Sequence, residues 1–319
     1  MSRRTFAWIG GAVGVVGAVT VLAALVVAPA QAADHALLPD LRQAPIGCSA
    51  GYDGDPMGCT DWDVCPVADA SKPSGTCLTT GPMRAVRLRF TSSEENVGAG
   101  PLLLYGHRDG TGSAKMAVRQ AFQNGTHGPI PQSFADAQHA TSATTYYEPA
   151  AMHLHWHLLG FDRFQLRTQT GSTVVADRKN GFCLGDRYNA PGAAGLSGTP
   201  QSGTPEGDLA ETLAESTCKR REPSATDVTE GISVGQGDNY DHTVDYQWLD
   251  LTKVASGTYT VVNTVNPDRT IIESDYDNNS SSAAVSVKWP GGGAAPTVIT
   301  APPVVTMLRS CPGSATCAA

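Results

Sequence analysis

His153, His155 and His157 stand two residues apart, with Leu154 and Trp156 between them. On a helix, positions i and i+2 point to different sides, so three imidazoles at this spacing could not easily close on one ion. On a strand the side-chain period is two, so all three project from one face with Leu154 and Trp156 on the other. Met152 before the stretch and Leu158 and Leu159 after it, with no breaker inside, predict a strand. Three neutral imidazoles suit zinc, copper, nickel or iron, and first-row affinity peaks at Cu(II). The alternative is a histidine-rich strand without a ligand, which would make a poor core surface.

The elements that must hold such a cluster read as short strands between turns. Val86, Leu88 and Phe90 alternate with Arg87 and Arg89, 96–100 turns, and Leu102 to Tyr105 resumes. Phe164 to Leu166, Val174 to Ala176, a strand starting at Gln247, Tyr259 to Val265 and Ala284 to Trp289 continue the pattern, and 207–216 suits a short helix. With 34 Gly, 21 Pro and 16% charged residues, the chain predicts a mainly β protein, a β-sandwich with long loops and few short helices. His107, His127 and His139 each stand alone and carry no site by themselves.

Residues 1–32 have the form of an export signal: Arg3 and Arg4, an apolar run from Trp8 to Val27, then Ala30-Gln31-Ala32 as a small-residue cleavage site. An uncleaved anchor is the alternative, since about 20 apolar residues span a bilayer. Ser2 to Phe6 also resembles a twin-arginine signal. Without this segment 20 basic residues face 30 acidic ones, which argues against nucleic acid and for a cationic or neutral substrate. All eight cysteines lie beyond it, an even count that reads as disulfides in an exported chain. Their spacing suggests local pairing among Cys48, Cys59, Cys65 and Cys77, then Cys183 with Cys218 and Cys311 with Cys317. The expected organisation is a signal (1–32), a cysteine-stapled loop region (33–82), a catalytic domain (83–289) and a flexible Pro/Gly-rich tail with a small disulfide loop (290–319).

From Met152 to Asn279 the chain resembles the catalytic domain of the lysyl oxidase family, copper- and quinone-dependent amine oxidases. Four blocks carry the resemblance in the family's order and spacing. They are His153-x-His155-x-His157-x3-Phe161; Lys179-x3-Cys183-Leu184-x-Asp186; Gly231-Ile232-Ser233 through Asp238-x-Tyr240 to Gln247-Trp248-x-Asp250; and Val265-Asn266-Pro267 to Glu273-Ser274-Asp275-Tyr276-x-Asn278-Asn279. The resemblance implies copper on His153, His155 and His157, and a lysine tyrosylquinone made from Lys179 and Tyr240. It also implies oxidation of primary amines, including peptidyl lysine, to aldehydes with release of ammonia and hydrogen peroxide. The quinone acts as an electron sink, and Asp238, at a family aspartate, is the candidate general base. Asp241 and His242 are nearer in sequence and compete for that role.

Some family members bind calcium with a Pro-Asp-Leu and the Glu-Ser-Asp-Tyr-x-Asn-Asn block. That maps to Asp40, the Leu41 carbonyl, Glu273, Asp275, Asn278 and Asn279, an all-oxygen set suited to calcium. A turn capped by Asp and Asn side chains is the alternative. The chain departs from the animal pattern at Met152, Gln236 and Tyr246, where animal members carry cysteines, and in the Ala/Gly/Ser/Pro-rich excursion 190–207. The expected protein is therefore secreted or cell-surface associated, free of stable membrane association after signal cleavage, and takes an amine and dioxygen. Its rivals are a three-histidine metal protein without quinone chemistry and a calcium-stabilised adhesion sandwich.

Overall fold

The computed structural model describes residues 36–177 and 181–319. Residues 1–32, expected to be an export signal, and Lys179 lie outside the described residues. The fold is mainly β, with antiparallel sheets and a helix at Pro205–Ala214. Strand Gly181–Phe182 edges a six-stranded sheet that continues through His155–Leu159, His139–Glu148, Lys115–Ala121 and Leu102–His107 to Asp227–Ile232. A five-stranded sheet runs Thr173–Ala176, Asp162–Thr168, Gly257–Val265, Ser280–Lys288, Val304–Cys311. A four-stranded sheet orders Tyr188–Asn189, Gln236–Tyr240, Ser92–Asn96 and Leu41–Gln43, and a three-stranded one Trp248–Asp250, Ala85–Phe90 and Trp62–Val67.

These sheets close on one apolar cluster. It joins Leu102, Leu104, Val118 and Leu158 of the six-stranded sheet to Phe164, Val261 and Val285 of the five-stranded sheet. Val86, Leu88, Phe90 and Leu249 join them from the three-stranded sheet, and Leu41 and Tyr240 from the four-stranded one. The period-two pattern of Val86, Leu88 and Phe90 is what puts them there. Burying one such Val, Leu or Phe contributes about 1.5–3 kcal/mol. Arg87 and Arg89, on the alternate positions, are also buried: Arg87 stacks 4.2 Å over the Trp248 ring, and Arg89 pairs with Asp63.

Four disulfides join Cys48–Cys59, Cys65–Cys77, Cys183–Cys218 and Cys311–Cys317; the spacing suggested the last two pairs and local pairing among the first four cysteines, whose partners the structure supplies. Several segments differ from expectation. Leu41–Gln43 and Trp62–Val67 pair with strands beyond residue 83, so the boundary near 82 cuts through two sheets. The flexible tail is not seen at Val304–Cys311, which pairs with Ser282–Lys288 and covers a sheet edge that would otherwise be open. Strands Lys115–Ala121 and His139–Glu148 lie within 106–150, where the sequence reading places no strand. Among the described residues no helix is long and apolar enough to cross a membrane.

Candidate active site

The histidines do not sit on one strand. The strand starts at His155, and His153 lies in a turn before it. In that turn the His153 and Leu154 amides both donate to the Ala150 carbonyl, at 2.9 and 3.1 Å, and Leu154 adopts a left-handed φ of 55°. Two contacts hold the kink: the Arg221 amide, distant in sequence, and the Tyr147 hydroxyl of the preceding strand both donate to the Leu154 carbonyl, at 2.7 and 2.8 Å. Sequence alone could not report the turn, because alternation within 153–157 fits an unbroken strand.

The turn nonetheless brings all three rings together. Their centroids lie 4.6 to 5.4 Å apart, and one nitrogen from each falls within 4.8 Å of the others. The His155 and His157 Nε2 atoms are 2.9 Å apart, and His153 Nε2 lies 3.3 Å from the Asp245 carbonyl oxygen. Trp156 turns the other way into a pocket with Met116, Cys183 and Cys218.

Strand Gly181–Phe182 lies directly against the histidine strand, with Gly181 opposite Leu159 and Phe182 opposite Leu158. A side chain at Gly181 would meet the Leu158 carbonyl oxygen at 2.5 Å and the His157 Cβ at 2.9 Å, so the close approach requires glycine. On the other side of Lys179, Asp177 accepts from the Phe164 amide at 2.7 Å. Both flanks of the lysine are therefore tied to the sheets.

Phe182 and the residue after it position Tyr240. The two rings meet edge to face at 4.7 Å, the Tyr240 hydroxyl donates to the Cys183 carbonyl at 2.8 Å, and the Cys183 amide donates back to the hydroxyl oxygen. Burial, with Asp238 beside it, pushes the phenol well above its ordinary range, while the Cys183 amide opposes that shift. Asp238 is buried two positions earlier. Its Oδ1 accepts from the Asn239 amide at 2.9 Å and lies 3.8 Å from Arg187 Nε; its Oδ2 has no partner among the described residues. Burial raises the Asp238 carboxyl well above the usual range, Arg187 pulls it down, and Glu94 pushes it up. Glu94 lies directly opposite Asp238 across the Ser92–Asn96 pairing, and both are buried. Nothing in Ser92-Ser93-Glu94-Glu95-Asn96 marks a buried strand: five polar residues read as a surface turn, and only their pairing partners reveal otherwise.

A cavity of about 370 Å³ unites these groups; His153, His155, Asp238, Tyr240 and Arg187 line it. Asp241 and His242, the competing candidates, are not among its lining residues; the Asp241 carboxylate is engaged by Thr243 and the His242 amide by Thr91.

Residues 209–290, which include Asp238 and Tyr240, match the model of the lysyl oxidase family. Over this stretch the chain is similar to the lysyl oxidase family. Over 128 residues it is 33% identical to mouse lysyl oxidase homolog 4, 34% to the human protein of that name, and 30% to lysyl oxidase homolog 2 of Xenopus laevis. Each match covers 40% of this chain but only 14% of the relative, so the chain spans a small part of those relatives' length.

The Glu273–Asn279 block lies elsewhere. Glu273 accepts from the Leu41 amide at 2.8 Å, from Asn266 Nδ2 at 2.6 Å and from Asn279 Nδ2 at 2.7 Å, and Asn278 Nδ2 donates to Asp40 at 2.8 Å. The Oδ1 atoms of Asn278 and Asn279 are buried without a partner among the described residues. Burial raises the Glu273 carboxyl to about 7, and burial with Asp275 nearby raises Asp40.

Proposed function

We propose that this chain is a secreted copper-dependent amine oxidase that converts primary amines, including peptidyl lysine, to aldehydes. The balanced reaction consumes one amine, one dioxygen and one water and yields aldehyde, ammonia and hydrogen peroxide. The observation that carries this is the single cavity lined by His153, His155, Asp238 and Tyr240. His153, His155 and His157 would hold copper. Three convergent imidazole nitrogens suit such an ion, and the His155 and His157 Nε2 atoms, 2.9 Å apart, are close enough to share one.

Copper with dioxygen, and a lysine tyrosylquinone formed from Lys179 and Tyr240, would supply the oxidising power and the electron sink. The chain's own residues do the rest. The Cys183 backbone and the Phe182 ring hold the Tyr240 ring in one orientation toward the cavity. Asp238 receives the substrate's α-proton at Oδ2, and a carboxyl raised by burial is a stronger base than a free one. Arg187 keeps that carboxyl in place through Oδ1 while also binding the carbonyls at the end of the helix.

We also propose calcium at Asp40, the Leu41 carbonyl, Glu273, Asp275, Asn278 and Asn279. The two unpartnered amide oxygens support it, as hard oxygen donors awaiting a cation. The rival is a three-histidine metalloprotein without a quinone. Tyr240 favours it, since a hydroxyl bonded both ways to Cys183 is how an ordinary buried tyrosine is satisfied.

Mass spectrometry of the copper-loaded mature protein beside Lys179→Ala separates the two. A cross-linked, phenylhydrazine-reactive species joining the Lys179 and Tyr240 peptides is expected in the wild type only. Two separate, unmodified peptides after full copper and oxygen loading would leave the metalloprotein.

A further inference from the structure

The cavity has an exposed end as well as a buried one. His153, Asp238 and Tyr240 are buried, while Glu215 and Arg220 line the same cavity from solvent-exposed positions. The two opposite charges form no ion pair with each other, and neither side chain has a partner among the described residues. Two unpaired charges of opposite sign on one cavity can meet a ligand that itself carries both.

Their backbones are fixed by different means. Glu215 caps the C-terminus of helix Pro205–Ala214; Arg187 binds the helix's Ala214 carbonyl at 3.1 Å and the Ser216 carbonyl just beyond the cap at 2.7 Å. Arg220 sits in a loop tied by Cys183–Cys218, by the Trp156 amide on the Cys218 carbonyl at 2.9 Å, and by the Arg221 amide on Leu154. In that loop Cys218, Lys219 and Arg221 all have left-handed φ, at 46°, 55° and 64°. Three non-glycine residues so close together in that region are costly, and such strain gathers where ligands are held. The strained loop is thus bound to the two segments that build the site, Leu154 beside the histidines and Cys183 beside Tyr240.

We propose that Glu215 and Arg220 form a subsite for an α-ammonium and an α-carboxylate, so that the favoured amine is the side-chain amine of a free α,ω-diamino acid. This rests on the amine oxidase reading and narrows its substrate. The Arg220 fork takes the carboxylate, Glu215 takes the ammonium, and the far amine reaches the buried end. A lysine within a peptide presents neutral amides to the same two groups and gains neither contact. The acidic surface as a whole would favour any cation and makes no such distinction.

The test uses the copper-loaded mature protein, with binding by calorimetry and turnover by peroxide release. The probes are L-lysine, cadaverine, 6-aminohexanoate and Nα-acetyl-L-lysine amide. Lysine is expected to bind about tenfold more tightly than the blocked lysine, the lower end for charge-assisted hydrogen bonds at an exposed site. Arg220→Gln lowers the preference for lysine over cadaverine about tenfold, and Arg220→Lys restores part of it. Glu215→Gln lowers the preference for lysine over 6-aminohexanoate. Equal binding of lysine and blocked lysine by the wild type overturns the subsite, as does a uniform loss for all probes in Arg220→Gln. Selective lysine binding with no peroxide from any probe would keep the subsite and remove the oxidase. Peroxide formed equally well from lysine and blocked lysine would do the reverse.

Discussion

The histidine cluster and the Glu273–Asn279 turn are both dense in donor atoms but arrange them in opposite ways. At the histidines three like groups face one another beside an open cavity. At Glu273 complementary groups interlock: one carboxylate collects N–H groups from Leu41, Asn266 and Asn279 and so ties residue 41 to residue 273. Like groups that converge gain most from an ion, whereas complementary groups largely satisfy one another and chiefly fix the fold, leaving the Asn278 and Asn279 Oδ1 atoms for a cation. The first region is therefore expected to govern chemistry and the second stability.

The strongest way to break that contrast is His157→Ala. Losing one of three ligands should cut copper affinity by more than about 100-fold, since even outer-shell changes cost about 10–100-fold, and peroxide release should vanish with it. Copper per chain after dialysis, by elemental analysis, measures this; retention of one copper would contradict the assignment. Next in size is Asp238→Asn, which removes the base but none of the three imidazoles. A fall in kcat of about 10²–10⁴-fold is expected, and undiminished turnover with full copper would exclude Asp238 as the base.

The smallest effect belongs to the other region. In the fold Glu273 holds its proton up to about pH 7, against an ordinary value of 4.5, so between these values the folded state binds more protons than the unfolded one. Stability should then fall as pH rises through that window, and calcium, which needs the carboxylate, should oppose the fall. Glu273→Gln should remove this pH dependence and cost about 1–3 kcal/mol through mispaired amides. Thermal melts from pH 4 to 8 with calcium or chelator decide it; identical slopes in wild type and variant would refute the role of Glu273.

Much of the fold was legible because alternation is a local property. Val86, Leu88 and Phe90 announce their buried face, Tyr259 to Val265 its β-branched run, and the cysteines their short-range partners. Polar strands were not legible, since Ser92–Asn96 is buried only because Gln236–Tyr240 and Leu41–Gln43 flank it. The tail was misread for a related reason: a Pro/Gly-rich stretch looks loose until a neighbouring strand offers it an edge.

By itself the sequence determined the donor types: three imidazoles at alternating positions, an aspartate two residues before a tyrosine, and a block of carboxylates and amides. The tertiary structure alone decided how they meet. His153 joins its partners through a left-handed turn at Leu154, Glu94 faces Asp238 across a sheet, and Glu215 and Arg220 share a cavity with Tyr240. The reason is physical: residue type fixes what an atom can bond, but distance between atoms far apart in the chain is set only when the sheets pack.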